Sequence, residues 1–119
     1  RVGALGYCLG GRTAFLVAAR TDADCSIGYY GVNIDKYLHE AANIRKPLQL
    51  HIAGDDELCS REAHDAIVST LGPSDSISLH EYEGAGHAFA LEGGHNFDSA
   101  AAALANERSY QFLAAALKS

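Results

Sequence analysis

Gly6-Tyr7-Cys8-Leu9-Gly10-Gly11 is the stretch on which the reading of this chain turns. It sets one nucleophilic side chain between glycines, where the short apolar run Val2 to Leu5 gives way to the helix-forming run Thr13 to Ala19. A G-x-nucleophile-x-G turn between strand and helix holds its middle residue in a strained backbone conformation. That geometry lifts the side chain above the sheet, and the flanking glycines give clearance against strand and helix. The lifted group here is the Cys8 thiol. The following helix aims its free N–H groups and positive dipole end at the sulfur, favouring a thiolate and any oxyanion formed beside it. Two other readings fit the same residues. Cys8 can be a small buried hydrophobe in an ordinary turn. Gly6 to Thr13 also matches a phosphate-binding loop, except that Arg12 stands where a lysine must reach the phosphates from a fixed position. Partners for Cys8 further along the chain decide among the three.

Composition narrows the field. The 119 residues suffice for one domain, and a hydrophobic fraction of 48% is ordinary for a globular core. A formal charge of −6 with no run of Lys or Arg argues against a nucleic-acid surface. The longest strongly apolar run, Ala14 to Ala19, is too short to cross a bilayer, and no charged segment precedes an apolar one as in a signal peptide. No membrane or nucleic-acid partner is therefore expected. Cys8, Cys25 and Cys59 form an odd set without C-x-x-C spacing, and the six histidines include no H-x-x-x-H pair. A disulfide framework or a metal site is not expected, and a reducing cytoplasm is the natural compartment. Most of the histidines are expected on surfaces or at strand ends. The chain opens at Arg1, directly before an apolar strand that would normally lie inside a sheet, as though cut from a longer polypeptide.

Taken in order, the pattern predicts a strand over Val2 to Leu5 and a helix near Gly10 to Arg20. A second strand covers Ser26 to Tyr30, and a short helix falls around Asp35 to Ala42. Lys46-Pro47 marks a fresh start. Leu48, Leu50 and Ile52 alternate with Gln49, His51 and Ala53 in a third strand that stops at Gly54. Ser60 caps a helix that carries Ala63, Ala66, Ile67 and Leu71 on one face. Ile77 to Tyr82 is the fourth strand, and an Ala-rich closing helix with Leu104, Phe112, Leu113 and Leu117 starts at Asp98 or Ser99. Four alternations of strand and helix imply an α/β fold, a parallel sheet with helices on both faces.

In such a sheet the loops leaving the C-terminal strand ends gather along one edge, where ligands bind. Cys8 follows the first strand, the acidic loop Asp55-Asp56-Glu57 the third, and His87, between Gly86 and Ala88, the fourth. The order nucleophile, acid, histidine is that of hydrolases built on this sheet. The chemistry divides accordingly. His87 takes the Cys8 proton, an acid orients the imidazole, and the thiolate attacks an ester or lactone carbonyl to form an acyl-enzyme that water then cleaves. Any of the three acidic residues can be a solvated loop charge; Asp56 is favoured by its place in the pattern described next. The backbone N–H of Leu9 is the expected first oxyanion donor. Cys59 is read as packing, and Tyr29 and Tyr30 as pocket or core residues.

Gly6-Tyr7-Cys8-Leu9-Gly10-Gly11, Gly28-Tyr29-Tyr30-Gly31-Val32, Gly54-Asp55-Asp56-Glu57-Leu58, Gly86-His87-Ala88-Phe89 and Ala103-Leu104-Ala105-Asn106-Glu107-Arg108 together resemble the dienelactone hydrolase (carboxymethylenebutenolidase) family of the α/β-hydrolase fold. The resemblance spans essentially the whole chain, and the Cys-bearing elbow is specific, since most α/β-hydrolases carry Ser there. It implies Cys8 as nucleophile, Asp56 as acid and His87 as histidine, with Tyr30, Leu58, Phe89 and Leu91 at the substrate. It further implies hydrolysis of an enol-lactone or similar ester in bacterial degradation of aromatic compounds, without metal or organic cofactor. Residues 1–119 would be the C-terminal half of the domain. The N-terminal half would contribute further strands, the second oxyanion donor and a glutamate that pairs with the resting Cys. Leu91 is a departure: the family carries an arginine there that holds the substrate carboxylate, so a less anionic substrate is expected. The alternatives are a nucleotide-binding module using Gly6 to Thr13, and an inactive truncated hydrolase.

Overall fold

The computed structural model describes residues 1–118. Four strands, β1 (Gly3–Tyr7), β2 (Cys25–Tyr29), β3 (Leu48–Ala53) and β4 (Ile77–Tyr82), form one sheet in the order β1-β2-β3-β4. Every pairing is parallel, with Leu5 opposite Ile27, Gly28 opposite Leu50, and His51 opposite His80. Three α-helices join them: α1 (Leu9–Arg20), α2 (Arg61–Leu71) and α3 (Ser99–Ala116), with a 3-10 helix over Ile34–Asn43 between β2 and β3. Strand alternation sends successive side chains to opposite faces. Leu48 and Leu50 pack with Phe15 of α1, Ile34 of the 3-10 helix, and Ile67 and Leu71 of α2. Ile27, Tyr29 and Tyr82 pack with Phe89 and with Ala105 of α3 on the other face. The sheet is thus covered on both sides, as the alternation of elements predicts. Each fully buried large side chain, such as Phe15, Leu48 or Leu71, contributes roughly 1.5–3 kcal/mol.

The helix starts follow from their caps. Ser60 Oγ accepts the Ala63 N–H at 3.1 Å to open α2, and Asp98 Oδ1 accepts the Ala101 N–H at 3.0 Å to open α3. The N-cap of α1 is Cys8, which makes no side-chain cap bond; the Gly11 and Arg12 N–H groups donate to its carbonyl instead.

Several expectations need correction. β1 runs to Tyr7 rather than Leu5, because its pairing with β2 continues to Tyr7 opposite Tyr29. β2 starts at Cys25 and ends at Tyr29, since Tyr30 turns to a positive φ of 37°. The segment after β2 is a 3-10 helix and not an α-helix, entered through a left-handed Asn33. Leu104 of α3 is exposed, and the inner face of that helix is made by Ala102, Ala105 and Ser109. The histidines are not mainly peripheral either: His51, His64 and His87 are buried. β1 lies at the sheet edge and exposes Val2, Leu5 and Tyr7.

Candidate active site

The turn between β1 and α1 is strained where the sequence predicts. Cys8 has φ 59° and ψ −116°, a conformation that non-glycine residues enter only when the surroundings hold them there. Its N–H donates to the Tyr29 carbonyl at 3.0 Å, and its own carbonyl accepts from Gly11 N–H at 3.0 Å. Gly6 is the residue that makes this crossing feasible, because a Cβ there would lie 1.9 Å from the Gly10 carbonyl oxygen. Gly10 itself has clear space around it, so clearance comes from Gly6 and from Gly11, which abuts Gly31.

Three loops meet at the C-terminal ends of the strands. Cys8 Sγ lies 3.0 Å from His87 Nε2, and His87 Nδ1 lies 2.7 Å from Asp56 Oδ2. A carboxylate only accepts, so Nδ1 carries a proton, and Nε2 is the nitrogen that faces the sulfur. Asp56 is fixed in turn by the Leu58 N–H, which donates to Oδ1 at 2.8 Å. Both the imidazole and this carboxylate are nearly out of solvent. Among Asp55, Asp56 and Glu57, therefore, Asp56 is the one that meets the imidazole. Such an arrangement can draw a thiol proton and return it to a leaving group.

Two features of this cluster escape a sequence reading. Asn96 Nδ2 donates to the His87 carbonyl at 3.0 Å and to Glu57 Oε1 at 2.9 Å, tying the histidine loop to the acidic loop. The Glu57 carboxyl is held below the ordinary carboxylate range, first by its own backbone N–H and also by this amide. Asn96 sits in an aperiodic loop, so no spacing signal points to it. Ala88, directly after His87, has φ 65°, a turn that residue type alone does not announce.

An open pocket of about 470 Å³ faces the sulfur. Tyr30 and Leu91 line it, as do Tyr7, Glu92 and Asn106. The Tyr30 ring stands edge-on to the His87 ring at 5.2 Å, and burial pushes its phenol up to about 12, so it stays protonated. Leu91 is 57% exposed at the rim. The other two residues expected at the substrate lie elsewhere. Phe89 is wholly buried against Tyr30 and Tyr82, and Leu58 is 58% exposed and does not line the pocket, while its N–H serves Asp56. The backbone of Leu9 opens α1 beside Cys8. Arg12 lies over the Tyr37 ring at 5.9 Å, turned to packing. Among the described residues no group of three or more His, Cys, Asp or Glu side chains is arranged to hold a metal, and all three cysteines are unpaired. Among the described residues no helix is long and apolar enough to cross a membrane.

The family model of the dienelactone hydrolase family matches residues 1–117. This chain belongs to that family. Among curated relatives, a carboxymethylenebutenolidase of Pseudomonas putida is 41% identical over 114 residues, covering 96% of this chain and 48% of the relative. Carboxymethylenebutenolidase 1 of Cupriavidus pinatubonensis is 44% identical over 114 residues, with the same coverage of 96% and 48%. This dienelactone hydrolase family chain thus spans about half the length of the curated relatives it matches. Solved structures agree on the fold. A dienelactone hydrolase-like promiscuous phosphotriesterase from metagenomic libraries superposes with a TM-score of 0.81 at 18% identity, over 98% of this chain and 52% of that one. Esterase 2 of Thermogutta terrifontis, phosphorylated by paraoxon, gives 0.70 at 20% identity, over 94% and 52%. The parallel sheet and its helices are those of dienelactone hydrolases and other α/β-hydrolases, as the elbow implies.

Proposed function

We propose that this chain carries the reacting groups of a cysteine-dependent hydrolase of enol-lactones or carboxylic esters. The observation that carries the reading is the continuous contact from Cys8 Sγ to His87 Nε2 and from His87 Nδ1 to Asp56 Oδ2. His87 Nε2 takes the thiol proton as sulfur attacks the carbonyl carbon; a C–S bond forms and the carbonyl electron pair moves to oxygen. The N–H of Leu9, the residue after the nucleophile, donates to that oxyanion in this reading. When the tetrahedral species collapses, the C–O bond breaks and the leaving oxygen takes the proton from His87. Water, deprotonated by the same Nε2, then cleaves the thioester, releasing the acid and restoring the thiol. Asp56 keeps the proton on Nδ1 and stabilises the imidazolium of each step.

The chain corresponds to the C-terminal half of an α/β-hydrolase domain in this reading, and a polypeptide equivalent to the remaining length of its relatives supplies the second oxyanion donor. The three unpaired cysteines support a reducing, cytoplasmic setting. With Leu91 where the resemblance implies an arginine, the substrate is less anionic than a dienelactone, since no charge-assisted contact comes from that position. Turnover of p-nitrophenyl acetate tests the reading. Cys8→Ala should lower kcat/KM by at least about a thousandfold; an unchanged rate would refute the proposal.

A further inference from the structure

Behind the pocket, the α3 face of the sheet holds a chain of hydrogen bonds that the proposed reaction does not use. Arg108 Nη1 donates to the Tyr82 hydroxyl at 3.2 Å, and Tyr82 donates to His51 Nδ1 at 2.7 Å. His51 is fully buried; burial first, then the nearby His80 and Arg108 charges, push its imidazole down to about 3. The ring is therefore neutral, and its one proton sits on Nε2, shared between Gln49 Oε1 at 2.9 Å and Ser109 Oγ at 3.0 Å. Ser109 Oγ lies 2.6 Å from the Tyr29 hydroxyl, which donates to Asn106 Oδ1 at 2.7 Å. The Tyr29 proton is committed to Asn106, so the serine proton is shared between the Tyr29 oxygen and the Ala105 carbonyl, to which Ser109 Oγ donates at 3.0 Å. The chain ends at one amide, whose Oδ1 accepts from the Tyr29 hydroxyl.

That amide borders the pocket. With Oδ1 taken by Tyr29, Asn106 Nδ2 has no protein partner among the described residues, and Asn106 lines the same 470 Å³ space as Cys8 and His87. Among the described residues no Lys or Arg lines this space, whereas the Glu92 carboxylate does. Building on the hydrolase reading above, we propose that Asn106 is a specificity-determining residue whose Nδ2 hydrogens donate to a second, uncharged oxygen of the substrate, remote from the scissile carbonyl. A keto, ester or ring oxygen fits. A carboxylate would meet Glu92 repulsion with no cation to offset it. Tyr29 is a positioning residue: it holds the amide with its donor outward before substrate arrives, which limits the ordering entropy lost on binding.

A matched pair of esters reads this directly: p-nitrophenyl levulinate carries a keto oxygen in its acyl chain, and p-nitrophenyl pentanoate does not. The protein should prefer the keto ester by about tenfold in kcat/KM, mainly through KM. Asn106→Asp keeps the shape and the acceptor for Tyr29 but replaces the donor, so the preference should fall to about one. Tyr29→Phe should lower it several-fold without touching the ester. An unchanged preference in Asn106→Asp overturns the proposal, as does a preference for an acyl chain that ends in an N–H donor over the keto ester, which would mean the amide is reversed. If the unaltered protein cleaves neither ester, the hydrolase reading fails, and Asn106 is judged separately by protection of Cys8 from iodoacetamide. Levulinamide should then slow alkylation more than pentanamide does, and Asn106→Asp should abolish the difference; equal protection by both amides overturns the inference.

Discussion

At the scale of single residues, the site is built from conformations that cost free energy and clearances that permit them. Cys8 at φ 59° is of the kind that costs on the order of 1–3 kcal/mol, and it persists because β2 and α1 hold both of its backbone groups. Gly6 allows the crossing, since any side chain there would collide with the Gly10 carbonyl. Leu91 lines the pocket rim at the position where the resemblance implies an arginine, which makes that expectation testable. Leu91→Arg should raise the kcat/KM ratio for a carboxylate-bearing lactone over a neutral one by about ten- to a hundredfold, the worth of a charge-assisted hydrogen bond. Steady-state kinetics on the two lactones checks this, and an unmoved ratio would detach substrate charge from position 91. These residue-scale features were legible to different degrees. Cys8 and His87 announce themselves through glycine-flanked loops, and Asp56 stands out only once its loop is set beside a known pattern, because Asp55 and Glu57 carry the same charge one position away. Leu58 and Phe89, which the resemblance puts at the substrate, both lie in loops, one exposed and the other in the core.

At the scale of elements, the pattern of apolar residues locates all four strands, and the caps Ser60 and Asp98 locate two helix starts. What the pattern hides is the polar interior of β3. Leu48, Leu50 and Ile52 alternate with Gln49, His51 and Ala53, and nothing in that alternation says what the polar pair meets. In a sheet covered on both sides there is no outer face, and those side chains are instead satisfied by Tyr82, Ser109 and one another across strands and α3. The partners lie dozens of positions away, beyond the reach of any local signal. Burial of His51 has a pH consequence. Folded, it takes no proton until about pH 3, whereas unfolded imidazole binds one below about 6.5. Between those values the unfolded chain holds more protons, so this contribution is complete above about pH 6.5 and is lost progressively on acidification towards 3. It amounts to ~2 kcal/mol already at pH 5. The Asp24 and Glu40 carboxyls, held below their ordinary range by a backbone N–H and by Arg20 respectively, titrate at lower pH. Urea unfolding at pH 5 and pH 7 should therefore show a smaller pH difference in His51→Gln than in the parent; equal differences would contradict the assignment.

At the scale of the whole molecule, parallel pairing is what turns distant sequence segments into one site. Each strand delivers its following loop to the same sheet edge, so residues 8, 56 and 87 converge without any segment having to cross the fold. The same architecture leaves β1 at an edge with apolar Val2, Leu5 and Tyr7 uncovered, on a chain that spans about half the length of its curated relatives. The fold and the family were readable from the elbow and the alternation of elements, whereas Asn96 and the orientation of Asn106 emerge only once α3 and the loops are packed. The central claim is that the Cys8 sulfur becomes covalently acylated. Rapid quenching after mixing with p-nitrophenyl acetate, followed by peptide mass mapping, measures it most directly: the account predicts an acetyl group on the peptide containing Cys8 and none on those containing Cys25 or Cys59. Ester turnover with no acyl group on Cys8, or with the label on another residue, would contradict it.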